Sequence, residues 1–379
     1  MRTFLALSAL LLLLVATSVA ANGYGGNSAS PGAGDGYGGG DAPAAADGYG
    51  GRDDASSGPK GNGGGDGGEG GVYHKAAYEK PVDGLDAGFY RKSCPDMEGI
   101  VQRAVRKAVD ADYTLAASLI RLFFHDFAVE GTDASILIDV PGQSEKYAEA
   151  SKTLRGFELI EEIKAELEAK CHATVSCADI LTAAARDAAT AAGVPYWPLK
   201  YGRRDGKDSV AGEADRRVPM GGQSVTDLVR FFESNGLTIM DLVVLSGAHT
   251  IGCASCGAVR PALCKLKGGA AAMERRYADF LRRKCGAGGE GEYVELDGET
   301  PTEFDNQYYK NLMRGRGVLD TDMKLLPDSR TEGLVRAFAN QPSQVFEHQF
   351  AQSMRKLGEA QVLTGNEGEV RRKCSAVNY

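Results

Sequence analysis

The sequence predicts a mainly α fold, and three observations carry that reading. Residues 158–170 repeat apolar side chains at spacings of three and four, the period of an amphipathic helix. Residues 178–192 are alanine-rich and nearly uncharged, as a helix packed closely on both sides would be. Strand-like alternation is scarce along the rest of the chain.

The other elements follow the same logic. Ala116 to Asp126 consists mostly of good helix formers, so a spacing of four sets Arg121 and His125 on one face with Phe124 beside them. Thr238, with Asp241 three residues on, makes a capping-box-like start for a helix from Ile239 to Ser246, and Gly247 closes it before His249.

The chain divides into three parts. Residues 1–21 carry Arg2, an unbroken apolar stretch through Val15 and small residues near Ala20, which reads as a secretory signal peptide, too short for a spanning helix. Residues 22–79 form a Gly/Ala/Asp-rich extension expected to be disordered, since it has almost no branched aliphatics to bury. Within it Gly-Tyr-Gly-Gly occurs three times, starting at Gly23, Gly36 and Gly48. Residues 80–379 remain for one large domain or two fused lobes. The formal net charge is −8, and residues 22–71 hold seven acids against Arg52 and Lys60. Nothing in this balance argues for nucleic acid or an anionic membrane surface as partner. Eight cysteines in an exported chain are expected to be mostly bridged.

Only five histidines occur. His74 borders the extension, while His172 and His348 sit in polar contexts, and none of the three is assigned a role. His125 and His249 lie in apolar helical settings, and neither has a cysteine or second histidine at zinc-ligand spacing. Arg121 beside His125 joins a base to a fixed cation, an arrangement suited to moving a proton while holding a developing negative charge. On that segment alone a core histidine with a surface arginine explains the pattern equally well. One histidine as axial ligand and another free as base is the layout of a haem peroxidase pocket.

From about Leu85 onward the chain resembles the secretory plant (class III) haem peroxidases. The segments that carry the resemblance are Phe-Tyr-Arg-Lys-Ser-Cys-Pro (89–95), Arg-Leu-Phe-Phe-His-Asp (121–126), Leu-Arg-Gly-Phe (154–157) and Thr-Val-Ser-Cys-Ala-Asp-Ile-Leu (174–181). Tyr-Gly-Arg-Arg-Asp (201–205), Leu-Ser-Gly-Ala-His-Thr-Ile-Gly (245–252), Thr-Pro-Thr-Glu-Phe-Asp-Asn (300–306) and Leu-Thr-Gly-Asn-Glu-Gly-Glu-Val-Arg (363–371) continue it in family order.

The resemblance implies a two-lobed fold with one haem b between a distal and a proximal helix. His249 would be the axial iron ligand, Asp322 the carboxylate accepting its other ring N–H, His125 the distal base, Arg121 the cation at the departing oxygen, and Phe124 a wall of the haem site. Pro219 matches the proline at the donor entrance. Two calcium ions are implied as well, one held by Asp126, Val129, Gly131, Asp133 and Ser135, the other by Thr250, Asp297, Thr300, Glu303 and Asp305. The reaction implied is reduction of hydrogen peroxide to water with one-electron oxidation of small phenols, by a monomer secreted to the extracellular wall space. A different reading is a weakly active wall structural or tethering protein that uses its Gly-Tyr-rich tail, with wall polymers as partners.

Several positions depart from the family. The cysteine pair across the distal calcium loop is replaced by Phe127 and Thr132. The asparagine that accepts the Nδ1 proton of the distal histidine is missing: counting from Glu145 puts Ser151 in its place, and counting back from Arg155 puts Ala150 there. Ala128 stands where the family usually has phenylalanine. By family match Cys94 pairs with Cys171, Cys177 with Cys374 and Cys256 with Cys285. Cys253 and Cys264 fall outside that pattern, and either a fourth bridge between them or two reduced thiols is expected. No Asn-X-Ser/Thr sequon occurs, so N-glycosylation is not expected.

Overall fold

Small side chains set the centre of this fold. The alanine-rich stretch forms a helix whose residues from Cys177 to Ala189 are all buried, because methyl groups let neighbouring helices approach on two sides. The computed structural model describes residues 83–264, 273–287 and 292–378. The signal peptide and the glycine-rich extension read from the sequence lie outside the described residues.

In chain order the helices begin with α1 (Met97–Ala111), α2 (Thr114–Ala128), α3 (Phe157–Lys170) and α4 (Cys177–Ala191). Helices α1 and α2 both pack on α4, and α3 closes against α1 and α4. Next come α5 (Ala211–Arg217), α6 (Val225–Ser234), α7 (Ile239–Ser246), α8 (Cys256–Cys264) and α9 (Arg275–Ala287). The last four are α10 (Gln307–Met313), α11 (Asp320–Leu325), α12 (Glu332–Asn340) and α13 (Ser343–Gly358). Among the described residues the ladder-paired strands are β1 (Cys253–Ser255) and β2 (Tyr293–Glu295), antiparallel, with Cys253 opposite Glu295 and Ser255 opposite Tyr293. The fold is mainly α, and the four helical segments read from the sequence coincide with α2, α3, α4 and α7.

Local chemistry explains where these helices start. The Ser176 hydroxyl accepts from the Asp179 N–H at 3.2 Å and caps α4. Asp179, fully buried, takes Arg203 Nη1 at 2.9 Å, the Tyr90 hydroxyl at 2.8 Å and the Gly202 N–H at 2.7 Å. A buried carboxylate is tolerable only when satisfied in this way. For α7, Thr238 and Asp241 form the reciprocal capping box. A Cβ added at Gly247 would lie 2.5 Å from the Phe346 ring and 2.5 Å from the Tyr309 hydroxyl. Glycine there lets the chain turn from α7 directly against α10 and α13.

Three disulfides are present: Cys94–Cys171, Cys177–Cys374 and Cys256–Cys285. They close loops spanning 77, 197 and 29 residues, long enough to restrict the unfolded chain substantially. The fourth bridge expected between Cys253 and Cys264 is not formed, because Cys253 carries a free, exposed thiol. Pairing with Glu295 holds Cys253 in the ribbon. Among the described residues no helix is long and apolar enough to cross a membrane.

Candidate active site

The distal residues follow from the register of α2. Arg155 reaches Asp112 at 2.6 Å and the Thr114 hydroxyl at 2.8 Å, which pins the start of the helix. From there Ala117, Arg121 and His125 fall on one face at spacings of four. His125 is only 4% exposed. Burial, and after it the Arg121 charge, push its imidazole down to about 3, so it is a neutral base at physiological pH. Arg121 donates to the Thr153 hydroxyl at 2.8 Å, the Thr153 carbonyl at 3.2 Å and the Ala150 carbonyl at 3.4 Å. Thr153 was not among the residues singled out from sequence, since nothing local in Ser-Lys-Thr-Leu-Arg marks it.

Neither Ala150 nor Ser151 takes over from the missing asparagine. His125 Nδ1 is buried without a hydrogen-bond partner, and so is Ser151 Oγ. The segment reaches the distal helix at Arg121, through the Thr153 hydroxyl and the Thr153 and Ala150 carbonyls, and leaves the histidine unheld.

On the other side, α7 ends and a tight 3₁₀ turn, Gly247–Thr250, carries His249. Its Nδ1 lies 3.1 Å from Asp322 Oδ1. Asp322 stands buried in the first turn of α11 and also accepts the Tyr308 hydroxyl at 3.0 Å. Burial by itself pushes His249 down, but the Asp322 charge and hydrogen bond outweigh it, and the net shift is upward despite Arg121. With Nδ1–H donating to Asp322, the Nε2 lone pair is left for a ligand. A third of the His249 side chain is exposed (35%), so that lone pair is accessible. Gly252, three residues on, has a left-handed φ of +89°, and a Cβ there would lie 2.7 Å from Ala117 Cβ. The proximal turn is therefore drawn close to the α2 face that bears Arg121 and His125. A carboxylate-supported imidazole opposite a neutral base and a cation fits an iron porphyrin held through His249.

The distal oxygen cluster follows α2 directly. Asp126, fully buried, accepts the Ala134 N–H at 3.0 Å and the Ile136 N–H at 3.4 Å, and Asp133 accepts that of Ser135 at 3.0 Å. Glu130, Gly131 and Ala134 all take positive φ, folding the loop back on itself. Burial, then Asp133 and Glu145, push Asp126 well above the usual carboxylate range, and burial pushes Asp133 up to about 6. Ser135 Oγ and Glu145 Oε2 are buried without partners. On the proximal side Thr250 donates to Asp305 at 3.2 Å and Thr300 to Asp297 at 3.5 Å, while Asp297 also accepts Asn311 at 3.0 Å. Glu303 is tied in through its N–H to the Thr300 carbonyl at 3.0 Å. Among the described residues no group of three or more His, Cys, Asp and Glu is arranged to hold a metal. A cation at either place therefore relies on hydroxyl and carbonyl oxygens beyond two carboxylates, the donor type calcium prefers.

Phe127 and Thr132 stand where a disulfide would span the distal loop. Phe127 is fully buried against Phe124 and Phe231, with ring centroids 6.0 and 5.9 Å apart. Thr132 donates to the Gly358 carbonyl at 3.1 Å and anchors the loop to the end of α13. Thr132→Val keeps the shape and deletes that bond, and it is expected to cost about 1–2 kcal/mol. Denaturant unfolding of the two proteins checks this, and superimposable curves would contradict it. Pro219 follows α5 and lines a cavity with Ala128 and Phe231.

The family model described as Peroxidase matches residues 101–341. Peroxidase 7 of Arabidopsis thaliana is 49% identical over 304 residues, covering 79% of this chain and 86% of the relative. Peroxidase 15 of the same plant is 41% identical over 302 residues (78% and 89%), and Peroxidase 4 of Vitis vinifera is 38% identical over 300 (78% and 92%). These matches favour an enzyme over a weakly active tethering protein; of the two features behind that reading, the Gly-Tyr-Gly-Gly tail lies outside the described residues and the missing asparagine leaves His125 Nδ1 without a partner. An accessible His249 backed by Asp322, a neutral His125 beside Arg121 and this extent of identity lead to one conclusion: the chain belongs to the plant class III haem peroxidases.

Proposed function

We propose that this peroxidase, secreted to the plant cell wall, reduces hydrogen peroxide by way of His125 and Arg121 and oxidises small phenols that arrive near Pro219. Haem b would be held through His249 and would supply the redox chemistry, electrons for cleaving the O–O bond that are regained singly from the donors. His125 takes a proton from hydrogen peroxide and returns it to the oxygen that leaves as water. Arg121 holds the negative charge that builds on that oxygen, in a site dry enough for one cation to matter. Asp322 accepts the Nδ1–H of His249, fixing its tautomer and raising its basicity. The observation that carries this reading is the pairing of a buried neutral base and cation on one side with a carboxylate-supported imidazole on the other. Rapid mixing of the haem-loaded enzyme with hydrogen peroxide tests it: a fast change in haem absorption, reversed by a phenol, is expected, and a haem that does not respond would refute it.

The unheld His125 sets an upper limit on that speed. With no acceptor at Nδ1, the imidazole distributes between tautomers and orientations. Ala150→Asn or Ser151→Asn is expected to accelerate the peroxide reaction, by about twofold if half of the imidazoles are wrongly set and by more if the misplaced fraction is larger. No gain at either position would count against the idea.

Calcium at both oxygen clusters belongs to the same proposal. The distal ion would offset the mutual repulsion of Asp126 and Asp133 and replace the covalent staple that Phe127 and Thr132 lack. A chelator is therefore expected to lower the melting temperature further than in a relative that keeps the loop disulfide. Equal losses in the two would contradict this.

A further inference from the structure

We infer that the cavity where the start of α3 meets α1 and α2 is a binding site for small amphipathic amines, molecules with an apolar body and an ammonium group. Its volume is about 350 Å³, within the roughly 300–1,000 Å³ of small-ligand sites. It shares no lining residue with the cavity beside Pro219.

A sharp turn makes the space. Gly156 takes a left-handed φ of +108°, and a Cβ there would lie 2.8 Å from Leu119 Cδ2. The chain thus enters α3 hard against α2, through a backbone that glycine adopts without strain. Leu154 before the turn, Phe157 and Leu159 after it and Leu115 on α2 are each half-buried against the core, and all four line the cavity. Ala108 closes it from α1 with a single methyl group. Half-buried apolar side chains gathered round one cavity leave surface that an apolar ligand takes out of water.

Charge selects the ligand. The cations at the cavity are already engaged. Arg155 donates from Nη2 to Asp112 at 2.6 Å and from Nη1 to the Thr114 hydroxyl at 2.8 Å. Lys146 lies over the Phe157 ring, 4.8 Å from its centroid, and is paired with Asp139 at 2.6 Å. The acids are not engaged. Glu158 and Glu162 are exposed, line the cavity and make no ion pair among the described residues. Four residues apart, they stand on one face of α3 and repel each other. An ammonium group between them relieves that repulsion, an anion adds to it, and a neutral molecule leaves it unchanged. 2-Phenylethylamine, a benzene ring on a two-carbon arm, carries both features, and with no phenol it is not a donor of the kind proposed above.

Binding here does not depend on the peroxidase reading. Equilibrium dialysis of 2-phenylethylamine, 2-phenylethanol and 3-phenylpropionate against the haem-loaded full chain, at neutral pH and without peroxide, reads the site directly. The amine is expected to saturate a single site, more tightly than the alcohol or the acid, with no change in haem absorption. In the double variant E158Q/E162Q its Kd should rise about three- to tenfold, the worth of two exposed charge pairs, with the alcohol unaffected. Ala108→Phe is expected to abolish amine binding by filling the cavity, and the double surface variant keeps the test valid should that change disturb the packing of α1. Equal binding of the three molecules, or an unchanged Kd for the amine in E158Q/E162Q, would overturn the proposal. So would binding that tracks a shift in haem absorption, since the amine would then sit at the iron.

Discussion

Replacing His125 with alanine is expected to slow the reaction with hydrogen peroxide by roughly 10²–10⁴-fold, the usual worth of a positioned general base. The expectation rests on burial: the side chain is 4% exposed, and burial with the Arg121 charge brings it down to about 3. A base with so low a pKa is unprotonated at physiological pH. The wild-type rate should then hold level from about pH 5 to 8 and not rise through the ordinary histidine range near 6.5. The same shift has a consequence for stability. The unfolded chain binds a proton at this histidine below about 6.5, and the folded chain does not until about 3. Stability from this group is complete above the unfolded value and is lost as pH falls through that window. Stopped-flow rates for wild type and H125A across pH check both parts. A loss below tenfold, or a wild-type profile climbing between pH 6 and 7, would remove His125 from the role of base.

Asp322→Asn should produce the second largest effect. The carboxylate is buried and accepts two donors, the His249 ring N–H at 3.1 Å and the Tyr308 hydroxyl at 3.0 Å. Asparagine keeps the shape and removes the charge that raises His249. A loss of about 10–100-fold in the peroxide reaction is expected, as for other groups that orient a metal ligand. The reduction potential of the bound haem should rise as well, since a less basic imidazole stabilises the oxidised iron less. Tyr308→Phe removes one donor and leaves the charge, so its effect on both quantities should be smaller. Potentiometry and rapid mixing on the three proteins check this. An unchanged potential in D322N would show that the carboxylate acts only by holding the ring in place.

Much of the site was legible because its chemistry is local. Arg121, Phe124 and His125 lie within one helical turn, and the capping box at Thr238 and Asp241 sets α7 ahead of His249. Short-range spacing suffices for such features, since a helix converts sequence intervals into directions. Tyr308 escaped notice: it reaches Asp322 from fourteen residues away, on a different helix. Thr153 meets Arg121 across 32 residues, and Thr132 meets Gly358 across 226. Two readings left open by counting were Ser151 or Ala150 as the missing acceptor, and Cys253 as bridged or free. Both turned on where backbone segments settle.

By itself the sequence determined the helical class and the placing of Arg121, Phe124 and His125 on one helix ahead of the turn that carries His249, because periodicity and residue type are properties of a few neighbouring positions. Only the tertiary structure decided that His125 Nδ1 goes unpartnered, that Cys253 stays a thiol, and that Thr132 is tied to the end of α13. Each of these depends on distances between segments far apart in the chain, and those distances are set by how the helices pack.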